Sequence, residues 1–205
     1  MSIYLARNGK MLTRVNGTRS FGEIVSPITP EPTFDEVTIV SHSWWGSQTW
    51  MSKNLAVDDG QGGIYTQTVN YGQGDVTEYY YTWYAAVRVA ESIEGWHLPA
   101  NYEWDRLIDS VEGSAHVGTK LKSTIGWESK PGTDLYGFTA LPAGYIKTSS
   151  GTSGGIGRGA LFWSETQYDF DKSYYFFMNS LSTTLDNGTN DKGSSAYSVR
   201  LIKDS

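Results

Sequence analysis

Gly95-Trp96-His97-Leu98-Pro99-Ala100-Asn101-Tyr102-Glu103-Trp104-Asp105-Arg106-Leu107 is the stretch on which the fold turns. From Trp104 onward the apolar residues Trp104, Leu107, Ile108 and Val111 recur at the i, i+3, i+4, i+7 spacing of an amphipathic helix. Pro99 stands ahead of that helix, Glu103 falls in its first turn, where the dipole favours an acid, and Gly113 is placed to end it. Just upstream, residues 81–91 carry Trp83, Ala86, Val87 and Ala90 in the same spacing, which predicts a first helix.

On either side of the helices the texture is β. Val37-Thr38-Ile39-Val40 and Gln48-Thr49-Trp50-Met51 read as short strands joined by a turn over 41–46, and the Gly-, Asp- and Gln-rich residues 58–77 read as loop. From about residue 135, strands are expected at 138–142, 160–163, 173–178 and 195–202, separated by Gly, Ser, Asn and Asp. Two helices followed by irregular antiparallel strands make an α+β layout. Upstream, Pro27, Pro30 and Pro32 mark a semi-rigid linker, and residues 1–26 alternate short apolar runs with Asn8-Gly9 and Asn16-Gly17 turn signals. The domains are therefore drawn as an arm and linker over 1–33 and a globular domain over 34–205. An arm with so few apolar residues either docks on a partner or is a loose terminus.

Charge and composition exclude several functions. The net charge is −6 with no basic stripe, which argues against nucleic acid and anionic membrane surfaces. There is no cysteine, so disulfides, thiol nucleophiles and thiolate zinc sites are excluded. No apolar run is long enough to cross a bilayer, and the first nine residues lack the apolar stretch of an export signal. The expectation is a protein without membrane insertion that leaves its cell by lysis or an unconventional route.

The stretch quoted first is accompanied, in order, by Gln48-Thr49-Trp50-Met51-Ser52-Lys53-Asn54-Leu55, Gly118-Thr119-Lys120-Leu121-Lys122-Ser123, Gly126-Trp127, residues 132–145, Phe162-Trp163-Ser164-Glu165-Thr166 and Tyr197-Ser198-Val199-Arg200. This series resembles the Fibrobacter succinogenes major paralogous domain, over about residues 35–205. The resemblance implies a C-type-lectin-like fold of the formylglycine-generating-enzyme-like branch, with two helices and irregular antiparallel sheets, here preceded by a short N-terminal β arm. Two positions depart from the family phrases. Ala100 replaces a threonine, which moves the expected helix cap to Asn101, and Ala196-Tyr197 replaces Gly-Phe. The enzymatic relatives oxidise cysteine with a copper-binding cysteine pair; this chain lacks it, and no catalytic residue is assigned.

Local motifs add no chemistry. His42, His97 and His116 are scattered, and His97 reads as a half-buried structural residue. Asp58-Asp59 and residues 186–191 could offer oxygen ligands to calcium, but neither follows a calcium-loop spacing, so no metal or cofactor is assigned. The glycine run 154–159 is followed by a strand pattern rather than a helix and is not a phosphate loop. Six tryptophans (Trp50, Trp83, Trp96, Trp104, Trp127 and Trp163) read as core. Burying one is worth on the order of 2–3 kcal/mol.

The recognition surface is sought in residues 167–194, whose Tyr, Asn, Ser, Asp and Gly suit adaptable contact. Tyr168, Phe170, Tyr175, Phe177, Asn179, Asp186, Asn187 and Asn190 are the candidate binding residues. A two-sided buried strand with polar turns is the competing reading. The function expected is that of a non-enzymatic phage virion protein: a head or tail fibre, or a capsid decoration. It would be a homotrimer attached to a capsid or tail protein through residues 1–33, and would bind a host cell-surface glycan or protein. The alternative is a bacterial cell-surface adhesion or carbohydrate-binding module.

Overall fold

A computed structural model describes residues 4–6, 10–15, 18–23, 34–40, 46–111 and 114–204, in two compact units, Met1–Pro32 and Thr33–Ser205. In the first unit, β1 (Tyr4–Ala6), β2 (Lys10–Val15) and β3 (Thr18–Glu23) make an antiparallel meander with Ala6 opposite Lys10 and Val15 opposite Thr18. The two Asn-Gly dipeptides, the proline linker and the turn expected at 41–46, save Gly46, lie outside the described residues.

The second unit is α+β, with small antiparallel sheets around three short helices. The expected first strands are β4 (Glu36–Val40) and β5 (Ser47–Met51). Residues 58–77 depart from the loop reading. β6 (Ile64–Asn70) and β7 (Asp75–Tyr81) pair along their whole length, from Ile64 opposite Tyr81 to Asn70 opposite Asp75. Gly72 and Gly74 turn the hairpin at positive φ, and Val69, Glu78, Tyr80 and Tyr81 are buried. Thr66, Thr68, Asn70, Asp75 and Thr77 on the exposed positions disguised a β alternation as polar loop.

Helix α1 (Trp83–Glu91) begins at Thr82, whose side chain accepts from the Ala85 amide at 3.3 Å, and it buries Trp83, Ala85, Ala86, Val89 and Ala90. After β8 (Trp96–His97) comes α2 (Asn101–Ser110). Its cap is Ala100, not Asn101 as expected. Ala100 offers no side-chain acceptor, so Thr166 Oγ1 takes the first helical amide, that of Asn101, at 2.9 Å, while Glu103 reaches back to accept from the Ala100 amide at 2.8 Å. A third helix, α3 (Val117–Leu121), was not anticipated from the sequence.

The remaining strands are β9 (Tyr145–Lys147), β10 (Thr152–Gly154), β11 (Gly159–Gln167), β12 (Lys172–Asn179), β13 (Asp186–Asp191), β14 (Ser195–Ala196) and β15 (Ile202–Lys203). The orders are β4-β5-β15-β8, β10-β9-β14 and β11-β12-β13. Residues 138–142 are not the strand expected. Asp134 takes the amide and hydroxyl of Thr139, both at 2.7 Å, and holds that residue at φ 51°. Residues 195–202 form two strands instead of one. Between them each residue finds a different partner: Tyr197 pairs with Tyr81, Ser198 bonds Leu161 and Trp163, Val199 accepts from Leu55 and Leu201 from Met51. This segment laces the sheets together.

The principal core sits between α2 and the inner face of β11 and β12. Trp104 stacks on Phe176 (5.1 Å, 15°) and Phe162 (5.8 Å, 27°) and leans on Trp50 at 4.8 Å. Five of the six tryptophans read as core are buried; Trp96 is half-buried beneath Phe34 and Lys203.

Three buried cations tie the loops where disulfides are absent. Arg200 donates to the carbonyls of Met51, Phe138 and Thr139 and to Asn54 Oδ1, between the rings of Phe138 and Phe162. Its burial lowers the guanidinium to about 9, against the pull of Glu78 and Asp134. Asn54 also donates to the buried Glu78 carboxylate at 2.9 Å, so one amide joins the buried anion to the buried cation. Lys122 donates to the carbonyls of Lys130, Asn179 and Ser182 under the Trp127 ring, and desolvation lowers its pKa. Lys192 donates to Gln167 Oε1 (2.6 Å) and to the carbonyls of Asp169 (3.0 Å) and Phe170 (2.8 Å) under the Trp83 ring. A cation left without such partners would be expelled or neutralised.

Candidate functional site

The Lys192 cage builds one end of the β11–β12 hairpin. Between the strands, residues 168–171 turn on Asp169, whose Oδ1 accepts from the amides of Asp171 (2.9 Å) and Lys172 (2.7 Å). Beneath the turn the Lys192 ammonium takes two loop carbonyls. The loop backbone is thus fixed from both sides, while its side chains point outward: Phe170 is 89% exposed and Tyr168 57%. Tyr168 meets Tyr174 edge to face at 5.6 Å.

Both principal helices begin against this end. Trp83, first residue of α1, donates from its indole to the Ser164 carbonyl at 2.9 Å and from its amide to the Lys192 carbonyl at 3.0 Å. At the start of α2, Asn101 is tied to Thr166 and accepts from Ser164 Oγ at 2.8 Å. The next residue in each helix, Tyr84 and Tyr102, is 55% and 60% exposed. Four of the large exposed hydrophobic side chains therefore sit on three segments that converge on residues 164–172. Exposed aromatics grouped on a rigid frame are the usual mark of a contact surface. Tyr84 and Tyr102 were missed in the sequence. The available signal was an aromatic residue standing off the apolar stripe of each helix.

These four aromatics form a collar whose charge around residues 164–172 is acidic, with Arg106 the cation acting on Tyr102. Glu165, Asp169, Asp171 and Asp191 are exposed around it, against the exposed Lys172; the Lys192 ammonium is covered by loop carbonyls. Glu103 and desolvation raise the Tyr102 phenol against the opposing pull of Arg106, with Glu165 adding to the rise.

The eight sequence-predicted residues do not form one surface. Tyr168 and Phe170 lie in the collar. Tyr175 and Phe177 are half-buried on the outer face of β12, their rings 5.7 Å apart, and Tyr175 packs on Tyr197 at 5.0 Å. Asn190 serves that cluster by donating to the Tyr197 hydroxyl at 2.7 Å. Asn179 and Asp186 lie at the opposite end of the hairpin, roughly 25 Å away at about 3.3 Å per strand residue. There Asn179 Oδ1 accepts from the Leu181 amide at 2.9 Å and Asp186 from Thr184 Oγ1 at 2.6 Å, both making turns. Asn187 is exposed on β13 opposite Phe176.

Acid–base chemistry has one conspicuous group. His97 binds Glu103 through Nε2 at 2.9 Å and Asp204 through Nδ1 at 2.6 Å, and these two carboxylates raise it to about 9 despite partial burial. Both ring nitrogens are occupied, and Glu103 is engaged with the α2 cap. The trio fastens β8, α2 and residue 204 to one another. Among the described residues no group of three or more His, Cys, Asp or Glu is placed to hold a metal. Asp59 of the acidic pair considered for calcium is bound to Arg88, which lowers its carboxyl pKa. No described helix is long and apolar enough to cross a membrane.

The model of the Fibrobacter succinogenes major domain matches residues 45–203 of the chain. No curated protein and no solved structure matches. The matched span holds α1, α2, all three buried cations and the four collar aromatics. The chain belongs to the Fibrobacter succinogenes major domain family.

Proposed function

We propose that the Thr33–Ser205 unit is a non-enzymatic recognition module that binds a cell-surface partner through the aromatic collar of Tyr84, Tyr102, Tyr168 and Phe170. The observation that carries this reading is the collar's build. Its side chains are out in solvent while the backbone beneath is pinned by Lys192, so binding orders little that is not already ordered. A C-type-lectin-like fold is part of the proposal, supported by two principal helices over irregular antiparallel sheets. So is a setting on a phage virion, as a homotrimeric fibre or decoration protein attached through the arm.

The test is binding of the labelled full-length protein to intact bacterial cells. The double variant Tyr168→Ala with Phe170→Ala should lose at least about ten-fold in affinity, as expected for contact aromatics, with an unchanged circular dichroism spectrum. Equal binding by the folded variant would reject the collar. Mass spectrometry of purified phage particles tests the setting, and its absence from them would reject that part alone.

A further inference from the structure

We infer that the partner bound at the collar is a basic polypeptide segment, whose Lys or Arg side chains lie over the collar rings between the flanking carboxylates. The inference rests on the recognition reading above and adds the chemistry of the partner.

Two observations point to it. The first is charge. Glu165, Asp169, Asp171 and Asp191 surround the turn, Lys172 is the one exposed cation among residues 164–172, and Arg106 acts on the Tyr102 side of the collar alone. Asp169 is partly spent on its own turn, but Glu165 and Asp171 have no hydrogen bond from a described side chain. A partner bearing carboxylates or phosphates would be repelled, and a neutral one would leave the carboxylates desolvated with nothing gained. The second is the aromatic surface. A cation within about 6 Å of an aromatic face is attracted by the ring quadrupole, most strongly where carboxylates add to the field. The protein already uses this pairing internally: Lys192 sits 4.7 Å from the Trp83 centroid directly beneath the collar, Lys122 4.7 Å from Trp127, and Arg200 4.7 Å from Phe138. At the collar, rings and acids occur together again, but facing out.

Arginine suits the site better than lysine, because a planar guanidinium can stack on Tyr168 or Phe170 and still present donors to Asp171 or Glu165. The partner need not fold into a groove. A short extended segment with two or three basic side chains would span the turn.

Titration calorimetry of the full-length protein with an oligo-arginine peptide, an oligo-citrulline peptide of the same length and a neutral oligosaccharide tests the inference. The arginine peptide should bind and the citrulline peptide should not. Affinity should fall about ten-fold in the Tyr168→Ala, Phe170→Ala double variant, and two- to five-fold in each of Glu165→Gln and Asp171→Asn, the usual range for exposed ion pairs. Raising the salt should weaken it further. Absence of arginine-peptide binding, equal binding of citrulline, or indifference to the ring substitutions would overturn the inference. Collar-dependent binding of the oligosaccharide, unchanged in Glu165→Gln, would overturn the basic partner yet leave the recognition module standing. Undiminished cell binding by the ring variant is the separate result that removes the module itself.

Discussion

At the scale of single residues, the buried guanidinium of Arg200 is the most consequential side chain. Replacing it with methionine strands three carbonyls and leaves Glu78 as a buried anion bonded only through Asn54 and Tyr71. Arg200→Met should cost roughly 3–5 kcal/mol in urea unfolding, the range for removing one partner of a buried charge pair. His97 makes a prediction in pH. Its folded pKa of about 9 lies above the ordinary 6.5, so its stabilisation is complete below pH 6.5 and is lost as pH rises through 9. Being partly exposed, it should account for about 1 kcal/mol or less. His97→Gln should flatten that alkaline slope in thermal melts, and an unchanged slope would show that other groups set it.

At the scale of elements, the β11–β12 turn depends on Lys192, in the turn that follows β13. Lys192→Met should leave the sheet intact but speed amide exchange at residues 168–171, because two turn carbonyls lose their shared donor. Gly144 is a second sensitive point. It lies at φ +71°, and a Cβ there would run into the Gly154 carbonyl and the amide of Ile156. Gly144→Ala should therefore shift the thermal midpoint well below that of Gly151→Ala, whose Cβ meets nothing although φ is also positive.

The elements also show how much the sequence reveals. Both principal helices were legible because Trp83, Ala86 and Ala90, and Trp104, Leu107 and Val111, declare one face each. β11 and β12 were legible through runs of buried aromatics. β6 and β7 were not, because their exposed positions hold Thr66, Thr68, Asn70, Asp75 and Thr77 and a buried Glu78 interrupts the apolar pattern. The strand expected at 138–142 failed for a different reason: the local Asp134 turns Thr139 and the sequence-distant Arg200 captures the carbonyls of Phe138 and Thr139. Of the candidate site, Tyr168 and Phe170 were legible as aromatics in a polar loop. Their grouping with Tyr84 and Tyr102 was not, since it arises from both helices starting against β11.

At the scale of the whole molecule, the chain divides into the compact units Met1–Pro32 and Thr33–Ser205, and the second has hydrophobic clusters of its own. Deleting residues 1–32 should leave the thermal midpoint of the remaining unit within a few degrees of the intact protein, measured by calorimetry. The same deletion should abolish incorporation into particles if the arm is the attachment device.

The segment from Tyr197 to Leu201 has one more consequence. It bonds to Tyr81, Leu161, Trp163, Leu55 and Met51 in turn, joining segments that are otherwise remote in the chain. Translation delivers this segment after all of those partners have been made. A nascent chain therefore holds these sheets unfastened until residues 197–201 have been made, so a chain truncated before Tyr197 lacks the bonds that close its core.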